Sequence, residues 1–254
     1  MKMPVIFVGH GSPMNAIEDN EFTKTWEALG RKIPKPKAIL AVSAHWYTDG
    51  TKTSDIETPE QIYDMYGFPK ALYELKYPVK GSKTLADKVM QLVGAGAVID
   101  NKWGIDHGTW SVLCRMFPEA DIPVVQLSVN YRVPAMAHFK MGKALQALRE
   151  EGVLILASGN IVHNLGLVNW DMDHGYPEAE AFDQYIKVSI LNRNFDAAIN
   201  YHETDLYTEK AFSSPDHYFP LLYALGAVSD DDEIEVFNDK CLTGTMSMTG
   251  YLFK

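Results

Sequence analysis

Four short runs of aliphatic, largely β-branched residues, at 5–8, 38–43, 124–129 and 153–157, most limit what this chain can fold into. Each is bounded by turn residues and almost free of polar interruptions. A strand with one wet face alternates apolar and polar side chains, whereas a strand covered on both faces need not. The pattern therefore predicts parallel strands sandwiched between helices. Helix-like segments separate the runs, at 21–29, 85–93, 135–150 and 178–200. The last places Phe182, Tyr185, Ile186, Ile190 and Phe195 on one apolar face. Further strands are expected at 233–237 and 245–253. Such alternation predicts an α/β fold, a mostly parallel central sheet flanked by helices. The segment 47–79, rich in Tyr, Pro and Thr, is a long excursion of weak periodicity, and such excursions are often functional. With neither a repeat nor a linker in view, one domain spanning 1–254 is expected.

Composition narrows the partners. Hydrophobic residues make up 46% and charged residues 22%, which excludes intrinsic disorder. The 33 acidic and 23 basic side chains leave a formal charge of −10. The one basic cluster, Arg31, Lys32, Lys35 and Lys37, is a short turn, so neither nucleic acid nor a membrane surface is an expected partner. Cys114 and Cys241 show no paired spacing and read as packing thiols in a reduced compartment. The first apolar run, about five residues, is too short for a signal sequence, and none approaches the roughly 18 residues of a membrane span. A cytoplasmic monomer is the expectation.

The eight histidines carry the chemistry. His10, His45 and His163 fall just beyond the ends of three predicted parallel strands, the edge where open α/β sheets bind ligands. His107 lies in Asp-His-Gly-Thr-Trp, after the glycine-rich turn at 94–96, and His217 opens the segment Ser-Pro-Asp-His-Tyr-Phe-Pro-Leu-Leu. His138, His174 and His202 sit in a helix or in polar stretches and read as packing or surface residues. Imidazoles converging without cysteine suit Zn, Fe, Cu or Ni rather than Mg or Ca, and an acid commonly orients such a ring through its other nitrogen. Asp106 and Asp216 suit that role, or equally the capping of the helices that follow them. Other signatures are missing: no HExxH, no Walker lysine, no GxSxG, and only two of the three glycines of a dinucleotide loop.

Five motifs, in order, resemble a known family. They are Gly9-His10-Gly11-Ser12-Pro13, Ser43-Ala44-His45-Trp46, Asp106-His107-Gly108-Thr109-Trp110, Gly159-Asn160-Ile161-Val162-His163-Asn164-Leu165 and Asp216-His217-Tyr218-Phe219-Pro220-Leu221. Together they resemble the class III extradiol ring-cleavage dioxygenases, in the 4,5-DOPA dioxygenase branch, over residues 4–252. The resemblance implies one mononuclear non-haem metal at the carboxyl ends of the strands, with His10, His45 and His217 as ligands. The third ligand position is a glutamate in the protocatechuate 4,5-dioxygenase relatives; histidine there makes the site less anionic and closer to what zinc accepts. His163 matches the catalytic base and can also complete a four-histidine zinc tetrahedron, while His107 matches a histidine that contacts oxygen or substrate. Implied partners are O2 and a small catechol such as DOPA, with Fe(II) expected for turnover and Zn(II) as a plausible bound ion. Trp46, Tyr47, Trp110, Tyr218 and Phe219 can wall an aromatic substrate or pack the core, and Asn164 can donate to a phenolate or carboxylate. Zinc-assisted hydrolysis, or binding of metal or an aromatic ligand without turnover, stays open as an alternative use of the scaffold.

Overall fold

Every residue of the first apolar run is buried, because the strand it forms has protein on both faces. In β1 (Val5–Gly9) the side chains of Val5 and Phe7 enter one core, and those of Ile6 and Val8 enter the other. The same period of two divides β2 (Ala38–Thr48), where Leu40 and Val42 face one core and Ile39 and Ala41 the opposite one. The computed structural model describes residues 2–94 and 96–254. Ala95, in the middle of the predicted glycine-rich turn at 94–96, therefore lies outside the described residues, as does Met1.

The elements follow in α/β order. After β1 come α1 (Glu21–Lys32), β2, β3 (Thr51–Thr53), α2 (Lys70–Glu74), α3 (Lys83–Val93), β4 (Ala97–Ile99) and α4 (His107–Met116). Then follow β5 (Val124–Asn130), α5 (Ala135–Leu145), β6 (Val153–Gly159), α6 (Pro177–Leu191), α7 (Phe195–Ile199) and α8 (Phe219–Ala227). The chain ends with β7 (Ile234–Phe237), β8 (Cys241–Leu242), β9 (Met246–Ser247) and β10 (Gly250–Phe253). Eight strands form the main sheet in the order β4-β3-β5-β2-β6-β1-β10-β7. Its centre, β5-β2-β6-β1, is parallel throughout, so these strands present their carboxyl ends along one edge. β10 and β7 extend the sheet antiparallel beyond β1. Helices α1 and α4 cover one face through Trp26, Leu29, Trp110 and Leu113. α3, α5, α6 and α8 cover the other, with Val89, Leu145, Phe182 and Leu222.

Local chemistry sets the ends of these elements. Asn20 caps α1 by accepting from the Phe22 and Thr23 amides, and Thr23 Oγ1 accepts in return from the Asn20 amide. Helices α5 and α8 touch backbone to backbone at Gly226. A Cβ there would stand 2.0 Å from the Phe139 carbonyl oxygen, so only glycine permits the approach.

Several predicted bounds shift. The strand expected at 38–43 runs on to Thr48, pairing Tyr47 and Thr48 with Val129 and Asn130 after a register irregularity. His45 is thus inside the strand rather than beyond it. The segment 178–200 breaks into α6 and α7 where Arg193 takes φ 55°, outside the right-handed helical region. The helix expected over 135–150 tightens into a 3-10 turn from Gln146, which ends at Gly152 with φ 88°. The 245–253 run divides between two sheets as β9 and β10. None of the described helices is long and apolar enough to cross a membrane.

Candidate metal centre

The carboxyl edge of the sheet brings five histidines together. His10 leaves β1, its amide donating to the Gly159 carbonyl at 3.0 Å, so β6 fixes where the ring starts. Ser158, in β6, gives its one hydroxyl proton to the Gly108 carbonyl at 2.5 Å. Toward His10 Nδ1, 2.9 Å away, Ser158 can therefore only accept. His10 must carry its proton on Nδ1, which leaves the Nε2 lone pair bare.

The same logic applies to His45. Its Nδ1 lies 3.0 Å from Asp64 Oδ2, an acceptor, so its Nε2 also carries a lone pair. The two Nε2 atoms stand only 3.1 Å apart. Two lone pairs at that distance repel unless a cation lies between or beside them.

His217 supplies the third corner. It precedes α8 in a turn rather than opening the helix, with its carbonyl accepting from the Asn160 amide at 2.9 Å. Gly159 permits that contact, since a Cβ there would be 2.1 Å from the His217 oxygen. Both ring nitrogens of His217 are buried without a hydrogen-bond partner, a costly arrangement for a polar ring unless a ligand satisfies it. Asp216 Oδ1 comes within 3.2 Å of Nδ1 but out of line for a hydrogen bond. Ring centroids of His10, His45 and His217 form a triangle with sides of 5.0, 5.2 and 5.0 Å. One ligand atom from each lies within 4.8 Å of the others.

Electrostatics favour a cation at this point. Burial pushes the pKa values of His10 and His217 well down, and the neighbouring imidazoles push them further, which keeps both rings neutral as metal ligands must be. At His45 burial opposes protonation, but Asp64, Asp106 and Asp216 together outweigh it and raise the pKa. A proton on His45 is thus the cation available when no metal is bound. The donor set, one nitrogen from each of three imidazoles close together with His217 unpartnered at both of its own, fits a divalent transition metal.

His163 stacks face to face on His217, with centroids 3.5 Å apart and planes 8° from parallel. It is outside the three-ligand group. Burial brings its pKa down to about 4, so the ring is unprotonated at neutral pH. His107 begins α4 and lies with its centroid 3.9 Å from that of His45.

Asp64 joins these two rings. Its Oδ1 accepts from His107 Nδ1 at 2.9 Å and from the His107 amide at 3.0 Å, while Oδ2 serves His45. Burial alone would raise its pKa; hydrogen bonds from His107 and His45 reverse the sign and hold it far below the carboxylate range. Sequence reasoning missed Asp64, which sits in the 47–79 excursion with no spacing that relates it to any histidine. The orienting role offered to Asp106 is filled differently: Asp106 caps α4 through Thr109, and accepts from Ser43 Oγ at 2.6 Å and Trp103 Nε1 at 3.2 Å.

The site floors a cavity of about 580 Å³. Met65, Tyr66 and Phe68 of the 47–79 excursion line it, together with Leu165, Val168 and Trp170. The aromatic residues expected to line it lie elsewhere. Trp110 is fully buried and donates Nε1 to the Ile62 carbonyl at 2.9 Å. Tyr218 is fully buried, donating its hydroxyl to the Ala198 carbonyl at 2.8 Å and stacking on Phe212. Trp46 and Phe219 are buried too, the latter against His138. Asn164 is consumed by a turn, accepting from the Gly166 amide at 3.1 Å and donating to the Glu209 carbonyl. All of them follow the site histidines closely in sequence, but each is held by partners in the core or in a turn instead.

Comparison with known proteins agrees with this geometry. The family model described as the catalytic LigB subunit of aromatic ring-opening dioxygenase matches residues 4–254. A protein of Escherichia coli K12 named 4,5-DOPA dioxygenase extradiol is 44% identical, over 97% of this chain and 93% of that relative. A protein of the same name from Beta vulgaris is 38% identical, over 97% of this chain and 95% of its own length. A crystal structure of an uncharacterized protein from Escherichia coli K12 superposes with a TM-score of 0.87 at 39% identity, covering 100% of both chains. A histidine cluster able to hold a metal, at the carboxyl edge of a mostly parallel sheet, thus coincides with a match over nearly the whole length: the chain belongs to the LigB family of extradiol aromatic ring-opening dioxygenases and is an oxidoreductase.

Proposed function

We propose that this enzyme opens the ring of a small catechol next to its diol, with O2, at one divalent metal held by His10, His45 and His217. DOPA, cleaved at its 4,5 bond, is the model substrate, because the relatives from Escherichia coli and Beta vulgaris carry that name. The observation that carries the reading is the pair of facing Nε2 lone pairs 3.1 Å apart beside a histidine with no partner for either nitrogen. What Fe(II) supplies there is electronic coupling between an electron-rich diol and O2, which Zn(II), lacking an accessible redox change, does not.

The remaining steps belong to the protein. His163, unprotonated and outside the ligand group, takes a proton from a diol hydroxyl and later returns it. His107, its Nδ1–H fixed by Asp64, presents Nε2 as the acceptor for a second proton or for a substrate hydrogen bond. Met65, Phe68, Leu165 and Val168 hold the ring flat and keep water from the opened product.

Anaerobic loading with either metal, followed by oxygen uptake and the yellow absorbance of a ring-opened semialdehyde, tests this. Turnover is expected with Fe(II) and not with Zn(II); equal rates with both would overturn the redox role. His163→Ala is expected to keep its metal and lose roughly 10²–10⁴ in rate. An intact rate would remove His163 from the mechanism.

A further inference from the structure

The ionised side chains around the cavity are of one sign. Among the described residues that line it there are two carboxylates, Asp64 and Asp216, and neither lysine nor arginine. Asp64 is already committed, each oxygen accepting from a histidine. Asp216 is not. Its Oδ1 accepts from the His217 amide at 2.8 Å, and Oδ2 has no hydrogen-bond partner among the described residues, although the side chain is 31% exposed at the cavity wall. The same cavity is lined by two largely exposed rings, Tyr66 and Trp170, 93% and 69% accessible.

We propose, on the reading of this cavity as a catechol site, that it sorts diols by the charge of the tail they carry. Catechols bearing an ammonium group are favoured, those bearing only a carboxylate are disfavoured, and Asp216 is the residue that sets the difference. A catechol anchored by its two oxygens must point its substituent away from the metal and along the wall. An ammonium there meets the unpaired carboxylate oxygen and the negative faces of Tyr66 and Trp170. A carboxylate there meets Asp64 and Asp216 with neither lysine nor arginine among the described lining residues to offset them, the charge of the metal being taken up by the diol oxygens it holds. At an effective dielectric near 20, unit charges sharing one cavity interact strongly enough to separate the two classes roughly tenfold or more. A substrate with both groups, such as an amino acid, is held by its ammonium while its carboxylate turns to solvent.

Binding of three diols to the zinc-loaded enzyme under argon, followed by calorimetry, reads this without turnover: dopamine, 4-methylcatechol and 3,4-dihydroxyphenylacetate. The expected order of affinity is cation, neutral, anion, with a spread of roughly tenfold or more, narrowing as salt is added. In Asp216→Asn the ratio of dopamine to 4-methylcatechol affinity is expected to collapse toward one. The wild-type order stands by itself if that variant does not fold. Equal affinities, or tighter binding of the acid, overturn the proposal. With Fe(II) and air, the expected order with no ring opening of any diol defeats the catalytic reading and leaves the selectivity. Ring opening of all three with equal affinities does the reverse.

Discussion

Asp64 shows what one side chain does for the centre and why it was hidden. A carboxylate accepting from two imidazole Nδ1–H groups fixes both tautomers and turns both Nε2 lone pairs toward the cavity. In Asp64→Asn the amide can accept from only one of them. Its NH2 must face the other ring, which then carries its proton on Nε2, toward the metal. Metal affinity is expected to fall about 10- to 100-fold, read by competition with a chelator; an unchanged Kd would show that the tautomers are set elsewhere. The histidines themselves were legible in part from position: His10 and His163 follow buried strands, His45 lies toward the end of one, and His107 and His217 stand at or just before the start of a helix. Asp64 was not, since its partners lie 19 and 43 positions away (64 − 45 and 107 − 64) and no local pattern marks it. The aromatic walls failed for the opposite reason. Trp110 and Tyr218 sit beside site histidines, but their polar tips find backbone carbonyls in the core.

The elements were easier to read than their ends. Apolar continuity revealed β1, β5 and β6, because both faces of each strand are buried. It stopped short in β2, where the strand continues past Ser43 through His45, which serves the site, and Tyr47, a partly buried ring packed against the core. Helix α8 hides its dependence on α5 in the same way: its residues are all buried, so no polar face marks which neighbour it meets. Gly226→Ala tests that contact. With its Cβ 2.0 Å from the Phe139 oxygen and 2.8 Å from the Lys143 nitrogen, the two helices must separate. A loss of about 1–3 kcal/mol is expected, lowering Tm by roughly 2–4 °C per kcal/mol. Because His217 leads directly into α8, metal affinity is expected to weaken with it. An unaltered Tm would mean that the interface yields without cost.

The molecule as a whole is tied at the sheet edge opposite the metal. Arg149 is fully buried, bonding Asp232 in a fork at 2.6 and 2.8 Å while donating to the carbonyls of Met3 and Ala227. One side chain thus joins the entry to β1, the turn before β6, the end of α8 and the approach to β7. Burial opposes the ionisation of Asp232, but Arg149, Lys2 and the Ser229 amide outweigh it and bring its pKa down to about 2. The folded value lies below the unfolded one near 3.9. The stabilisation is therefore fully present above about pH 4 and is lost as pH falls through 2, a change of about 2–3 kcal/mol. Urea unfolding of Asp232→Asn is expected to show a lower stability at pH 7 and a flatter dependence between pH 4 and 2. A wild-type slope in the variant would assign the acid sensitivity to other carboxyls. The negative charge of the whole chain acquires a local meaning as well, since the cavity repeats it in Asp64 and Asp216.

Among the described residues, two groups of side chains in this cavity can hold a metal: His10, His45 and His217, or His45, Asp64 and His107. In the second, the Asp64 oxygens already face N–H donors; in the first, both nitrogens of His217 have no partner. Anomalous diffraction at the iron edge from anaerobically loaded crystals separates them directly. The expected map has one peak per chain, about 2.0–2.2 Å from Nε2 of His10, Nε2 of His45 and a ring nitrogen of His217. A peak bonded instead to Asp64 and His107, with His10 and His217 unligated, would contradict it.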